Sequence, residues 1–200
     1  YAITTGVLLM LLKIAITEVD QAMATLFCAA FFFACRSCEY SSVTGERRTK
    51  IVKVKGVRFF LRNKELHHSD KRLPLADSIS ITFELQKNDE RNETITHQRN
   101  GHPSLCPVRL WASIIQRILS YKGTTDDSPV NTVRLPNGEL HEIKASDLLI
   151  KLRAAVKAIG KETLGFGPQD IGLHSLRSGA AMAMYLMAVP VFTIMLIGRW

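Results

Sequence analysis

The stretch His174-Ser175-Leu176-Arg177 puts an imidazole and a guanidinium one helical turn apart, on one face. Gly172 and a helix start sit just before it, where unsatisfied backbone N–H groups favour an anion. Arg36 closes the run Phe31-Phe32-Phe33-Ala34-Cys35, so its charge lies against apolar surface and must be paired. Glu39, three residues on, shares a helical face with Arg36 and suits that role. Gly198-Arg199-Trp200 follows an apolar stretch, and tryptophan offers one donor, the indole N–H. Taken singly, each has a plain structural reading: an Arg36–Glu39 pair, a helix-face His-x-x-Arg, a core or interface Trp200. Taken together, two guanidinium forks with a histidine and an indole N–H suit an anion. No acidic cluster with Mg²⁺ spacing accompanies them.

The elements that must hold these residues are readable from periodicity. Residues Ile3–Ala15 carry a broad apolar face and predict a helix. Thr17 or Asp20 caps a second helix running through Glu39, apolar nearly all round and therefore central. After Gly45 the period changes to two: residues 51–55, then Val57, Phe59 and Leu61, read as half-buried strands. Ile79, Ile81, Phe83 and Leu85 predict another strand, 88–92 a polar turn, and Glu93–Gln98 its partner. Pro107 opens a helix to about Lys122. Asn137-Gly138 marks a hairpin or turn, and Ser146 or Asp147 starts a helix ending near Gly160. Leu173–Met187 and Pro190–Ile197 complete a helical pair, with Ser178, Gly179, Ala180 and Ala181 small enough to admit another backbone. The expected class is α+β, mostly helical with a small antiparallel β-sheet.

Composition limits the function classes. The chain has 200 residues, 46% hydrophobic and 22% charged, which fits one folded domain and excludes a disordered one. Its longest apolar run, 22–35, is too short to span a bilayer core, so no membrane partner is expected. Four cysteines are too few for a disulfide scaffold and point to a reducing, intracellular compartment, nucleus or nucleoid-associated cytoplasm according to host. Net charge is +8, and a surplus of seven positive charges lies between Glu46 and Arg72. Such a stripe favours a polyanion, with Arg47, Arg48, Lys50, Lys53 and Lys55 as the candidate contacts, and charge alone does not separate DNA, RNA and an anionic membrane face.

In order and spacing the motifs resemble the catalytic domain of the tyrosine recombinases, the phage-integrase family. HSLRSGAAMAMYLMAVPVFTIMLIGRW (174–200) is similar to the family's second motif box, and FFFACRSCEY around Arg36 looks like its first. The nearest likeness is to a Cre-type site, with tryptophan in place of the commoner second histidine. The resemblance implies that Arg36 and Arg177 hold the non-bridging oxygens of a scissile phosphate, with Glu39 in support. It implies that Lys87, after Gln86 at the tip of the 79–98 hairpin, protonates the departing 5′ oxygen. His174 would assist proton transfer, and Trp200 would hydrogen-bond the phosphate. No cofactor or metal is implied, and a homo-tetramer on two duplexes is expected of the full-length protein.

The family's nucleophilic tyrosine falls roughly nine residues past the tryptophan position. The resemblance therefore places it beyond Trp200, and the family's N-terminal core-binding domain ahead of this 1–200 catalytic domain. Tyr185 lies within the second box, among Met182, Met184 and Leu186, and reads as core; Tyr40 and Tyr121 have no motif support. Two other readings compete. One is a non-catalytic DNA-binding relic or domesticated module. The other is a metal or redox site built from Cys35-x-x-Cys38 and His67-His68, disfavoured because no second CxxC follows.

Overall fold

Two apolar helices open the chain in a computed structural model that describes residues 1–45, 49–85 and 91–200. Helix α1 (Thr5–Ile14) buries Val7, Leu8 and Leu11 and packs against α2 (Glu18–Phe32). Thr17 starts α2 with a reciprocal cap: its hydroxyl accepts the Asp20 N–H at 3.1 Å, and the Asp20 carboxylate accepts the Thr17 N–H. The middle of α2, Ala22–Phe31, is buried almost throughout, as its all-round apolar sequence requires.

The sequence predicts that this helix continues to Glu39, but it stops at Phe32. Ala34 adopts φ 44°, and Arg36 stands at the start of a separate one-turn helix, α3 (Ser37–Tyr40). The break turns the Phe33 and Ala34 carbonyls toward two arginine side chains that need acceptors in the interior.

Residues 51–55 also depart from expectation. Their backbone bonds go to α3 and to the 126–130 loop rather than to a strand ladder: Val52 N–H to the Glu39 carbonyl, Val54 N–H to Ser128, Lys55 N–H to Asp126. Val54–Gly56 is a 3₁₀ turn, and the strand begins at Val57. Strands β1 (Val57–Leu61), β2 (Lys64–Leu66), β3 (Ser78–Leu85) and β4 (Arg91–Gln98) form an antiparallel sheet in the order β2-β1-β3-β4. Val57, Phe59, Ile79, Ile81 and Phe83 are buried on its inner side. Hydroxyls pair across β3 and β4, Ser80 with Thr96 and Thr82 with Thr94. The expected turn at 88–92 lies mostly outside the described residues; Asn92 belongs to β4.

Helix α4 (Pro107–Leu119) packs on α2, and its Trp111 indole N–H donates to the Ala29 carbonyl at 3.2 Å. The Asn137-Gly138 turn joins β5 (Thr132–Arg134) and β6 (Leu140–Glu142). Helices α5 (Ala145–Ile159) and α6 (Lys161–Leu164) lead to α7 (His174–Leu186) and α8 (Val191–Gly198). Gly179 on α7 is where another backbone approaches: a Cβ there would overlap Ile3, whose N–H donates to the Ser175 carbonyl. Tyr185, expected in the core, is 63% exposed, within an open apolar face that includes Met182, Leu186, Met187 and Phe192. The sequence's apolar stripe on α7 and α8 therefore exceeds what this chain covers. Among the described residues no helix is long and apolar enough to cross a membrane.

Candidate anion-binding site

Arg36 reaches its position through the turn that ends α2. From the start of α3, its backbone N–H donates to Glu39 Oε2 at 2.7 Å and its Nη1 to Glu39 Oε1 at 3.0 Å. Its Nη2 donates to the Arg199 carbonyl at 2.7 Å. The expected Arg36–Glu39 pair therefore forms, on a separate helical turn.

Glu39 also holds a second arginine. Arg199 Nη2 lies 2.6 Å from Glu39 Oε2, and neither side chain reaches solvent. Arg199 Nη1 donates to the carbonyls of Phe33 (3.1 Å) and Ile197 (2.9 Å), and its guanidinium lies 3.8 Å from the Phe83 ring centroid. Sequence reasoning did not single this residue out. The signal was present: Arg199 follows an apolar run just as Arg36 does, and the same pairing argument applies to it. Its backbone is left-handed (φ 56°, ψ 48°) directly after α8, where glycine is the inexpensive choice. That conformation costs a non-glycine residue about 1 kcal/mol and is held here by the buried contacts.

Arg177 comes from the first turn of α7 and is 4% exposed. Its Nη1 donates to the Ala34 carbonyl at 3.0 Å. Burial, then the neighbouring charges of Arg36 and Arg199, pull its pKa down to about 10. Arginine stays protonated at neutral pH, so the shift records first the burial of its charge and second the two cationic neighbours. Cys35, between these groups, has its thiol pushed up to about 12 by burial and stays neutral.

Trp200 stacks its ring 4.2 Å over the Arg177 guanidinium and remains 54% exposed. The ring lies against Gly198, where a Cβ would overlap it. His174, the first residue of α7, is exposed one turn before Arg177. Arg36, Glu39, Arg177 and Trp200 thus come together, with Arg199 added: three guanidiniums around one carboxylate among the described residues. Such a centre favours an anion.

The remaining candidates are placed unevenly. Lys87, Arg47 and Arg48 lie outside the described residues. The stem that leads to Lys87 runs beside the arginines, since Phe83 underlies Arg199, and the Leu85 carbonyl accepts the Lys50 N–H at 3.4 Å. Lys50 is exposed, whereas Lys53 and Lys55 are drawn to Asp127, at 3.3 and 2.8 Å. His68 Nε2 donates to the Val57 carbonyl at 2.6 Å and its Nδ1 lies 3.4 Å from Asp126 Oδ1, and Cys35 is buried in the core. Among the described residues no group of three or more His, Cys, Asp or Glu side chains is arranged to hold a metal.

No protein-family model and no curated protein matches the sequence. Among solved structures, the chain is similar to the integrase of the Tn1549 transposon, determined in complex with transposon right end DNA. The TM-score is 0.53 at 11% identity; the match covers all of this chain, which spans 58% of the integrase chain. At that identity the likeness is one of fold: the α+β architecture expected from the sequence is similar to that of a transposon integrase.

Proposed function

We propose that this chain is the catalytic domain of a tyrosine-type DNA recombinase or integrase, and that the arginine cluster is its scissile-phosphate site. One observation carries the reading: Arg36 and Arg177, far apart in sequence, are brought to one site at the turn after α2, Arg36 bonded to Glu39 and the Arg199 carbonyl, Arg177 bonded to the Ala34 carbonyl with Trp200 stacked over it. The integrase-like fold supports it independently.

In this reading the phosphate docks on Arg36 and Arg177, whose forks bind its non-bridging oxygens and stabilise the charge that accumulates during attack. Trp200 covers Arg177, so the incoming phosphate takes the ring's place over the guanidinium and the indole N–H bonds an oxygen from the side. His174, exposed at the mouth, assists proton transfer. Lys87 protonates the departing 5′ oxygen, a role that suits lysine where neighbouring cations favour release of its proton. A tyrosine of the full-length protein supplies the attacking oxygen: its bond to phosphorus replaces the bond to the 5′ oxygen, giving a 3′-phosphotyrosine and a free 5′ hydroxyl. The partners are double-stranded DNA and, in the full-length protein, further copies in a tetramer. The setting is intracellular, nucleus or nucleoid.

The test is a suicide DNA duplex offered to the protein expressed from the extended reading frame. A covalent adduct is expected, lost on changing the downstream tyrosine to Phe and reduced at least a hundredfold in rate by Arg177→Ala, about 3 kcal/mol of barrier. The stacking of Trp200 on Arg177 also fits a second reading, a DNA-binding module without strand cleavage. That reading expects salt-sensitive DNA binding and no adduct in any version of the protein.

A further inference from the structure

Arg199 touches several parts of the candidate site at once. Its guanidinium bonds three acceptors on three elements: Glu39 on α3, Phe33 in the turn after α2, and Ile197 on α8. The Glu39 oxygen it takes, Oε2, is the one that also accepts the Arg36 backbone N–H. Its own carbonyl accepts Arg36 Nη2. Arg36 is therefore gripped twice by Arg199, once directly and once through Glu39.

The other end of the residue sets the tryptophan. The left-handed backbone at Arg199 reverses the chain after α8 and lays Trp200 over Gly198 and Arg177. The guanidinium face also rests on Phe83 of β3, the strand that leads toward Lys87. A single residue, by side chain and backbone together, thus joins the Arg36 segment, the tryptophan and the hairpin root.

We propose that Arg199 is the positioning residue of the anion site, fixing Arg36 through Glu39 and through its own carbonyl and fixing Trp200 through its backbone. The proposal rests on the phosphate-binding reading of Arg36 and Arg177 above. A lysine keeps the charge but is a point donor. It cannot present a planar fork to three acceptors at once, so it separates positioning from charge alone.

The test titrates inorganic phosphate into the 200-residue chain and follows Trp200 emission, with Trp200→Phe as the blank for Trp111. The unaltered chain responds, and Arg177→Ala does not. Arg199→Lys is expected to keep its circular dichroism spectrum while its phosphate dissociation constant rises at least tenfold. Arg199→Lys that melts earlier yet binds phosphate within twofold of the unaltered chain makes Arg199 merely structural and overturns the proposal. Should Arg199→Lys unfold, the neutral pair Glu39→Gln with Arg199→Gln removes both charges together, and the same tenfold and twofold limits decide. An unaltered chain without a response, or Arg177→Ala responding fully, removes the phosphate reading and the proposal with it. A response lost in Arg177→Ala but unchanged in Arg199→Lys removes the proposal alone.

Discussion

Arg199 and Glu39 meet at 2.6 Å with both side chains excluded from solvent, so the two sequence boxes that carry the candidate site are joined by a buried ion pair. A buried pair adds little net stability when compared with an apolar replacement, because both charges lose their hydration. Breaking it from one side is different, since a charge is left inside without compensation.

Glu39→Gln should therefore lower unfolding free energy by about 3–5 kcal/mol, because Arg36 and Arg199 both lose their shared carboxylate. Urea denaturation monitored by circular dichroism measures it. A loss under 1 kcal/mol would show that the pair is not the joint described above.

Gly179→Ala should cost about 1–3 kcal/mol, because the added methyl overlaps the Ile3 backbone. The first residues should then detach, losing the bond from Ile3 N–H to the Ser175 carbonyl. Hydrogen exchange at the Ile3 amide and thermal melting both read this. Unchanged protection at Ile3 would contradict the close approach.

His97 gives the fold an acid-sensitive point. Its ring stacks edge-on against Phe33 with centroids 4.7 Å apart, and its Nε2 is buried without a partner. Burial holds its pKa below the ordinary histidine value, despite a bond to the Phe32 carbonyl. The unfolded chain thus takes up a proton first as pH falls, so stability is full above about 6.5 and declines below it. His97→Phe should remove that dependence between pH 7 and 5. A variant that loses stability with acid as steeply as the parent would assign the effect elsewhere.

For the basic segment, Asp127 is the lever. It sits against Lys53 and Lys55, and the side-chain bonds, from Lys55 first, hold its carboxyl below the usual range. Asp127→Asn should strengthen duplex DNA binding and steepen its salt dependence, by about 0.9 in log–log slope for each lysine released onto a phosphate. Reversal of Arg47, Arg48 and Lys50 to Glu should do the opposite. Equal slopes for all three proteins would remove the segment from the interface.

The helices were the most legible part of the sequence, since α1, α4, α5, α7 and α8 each carry a clear apolar period and a recognisable boundary such as Pro107, Gly160 or Pro190. The β3–β4 hairpin was legible for the same reason, its alternation matching the observed register of Ile79 with His97 and Ile81 with Ile95. What periodicity could not show is the stop at Phe32. Every residue from 22 to 35 except Thr25 suits a buried helix, and the break is imposed by arginines that arrive from more than a hundred residues away. Residues 51–55 misled for a related reason, because their partners are a helical turn and a loop and not strands. Of the site, the Arg36–Glu39 pair was readable from local spacing. The place of Arg199 was not, as its acceptors lie on segments that only the tertiary fold assembles.

The interruption of α2 has a wider consequence. A helix that ran on would use its carbonyls within its own ladder; cut short, it offers Phe33 and Ala34 oxygens outward, at the negative pole of a buried helix. That pole acts as a socket into which the two guanidinium plugs of the C-terminal segment fit. Substitutions that heal the helix, however favourable to its propensity, should therefore disconnect Arg177 and Arg199 together without touching either.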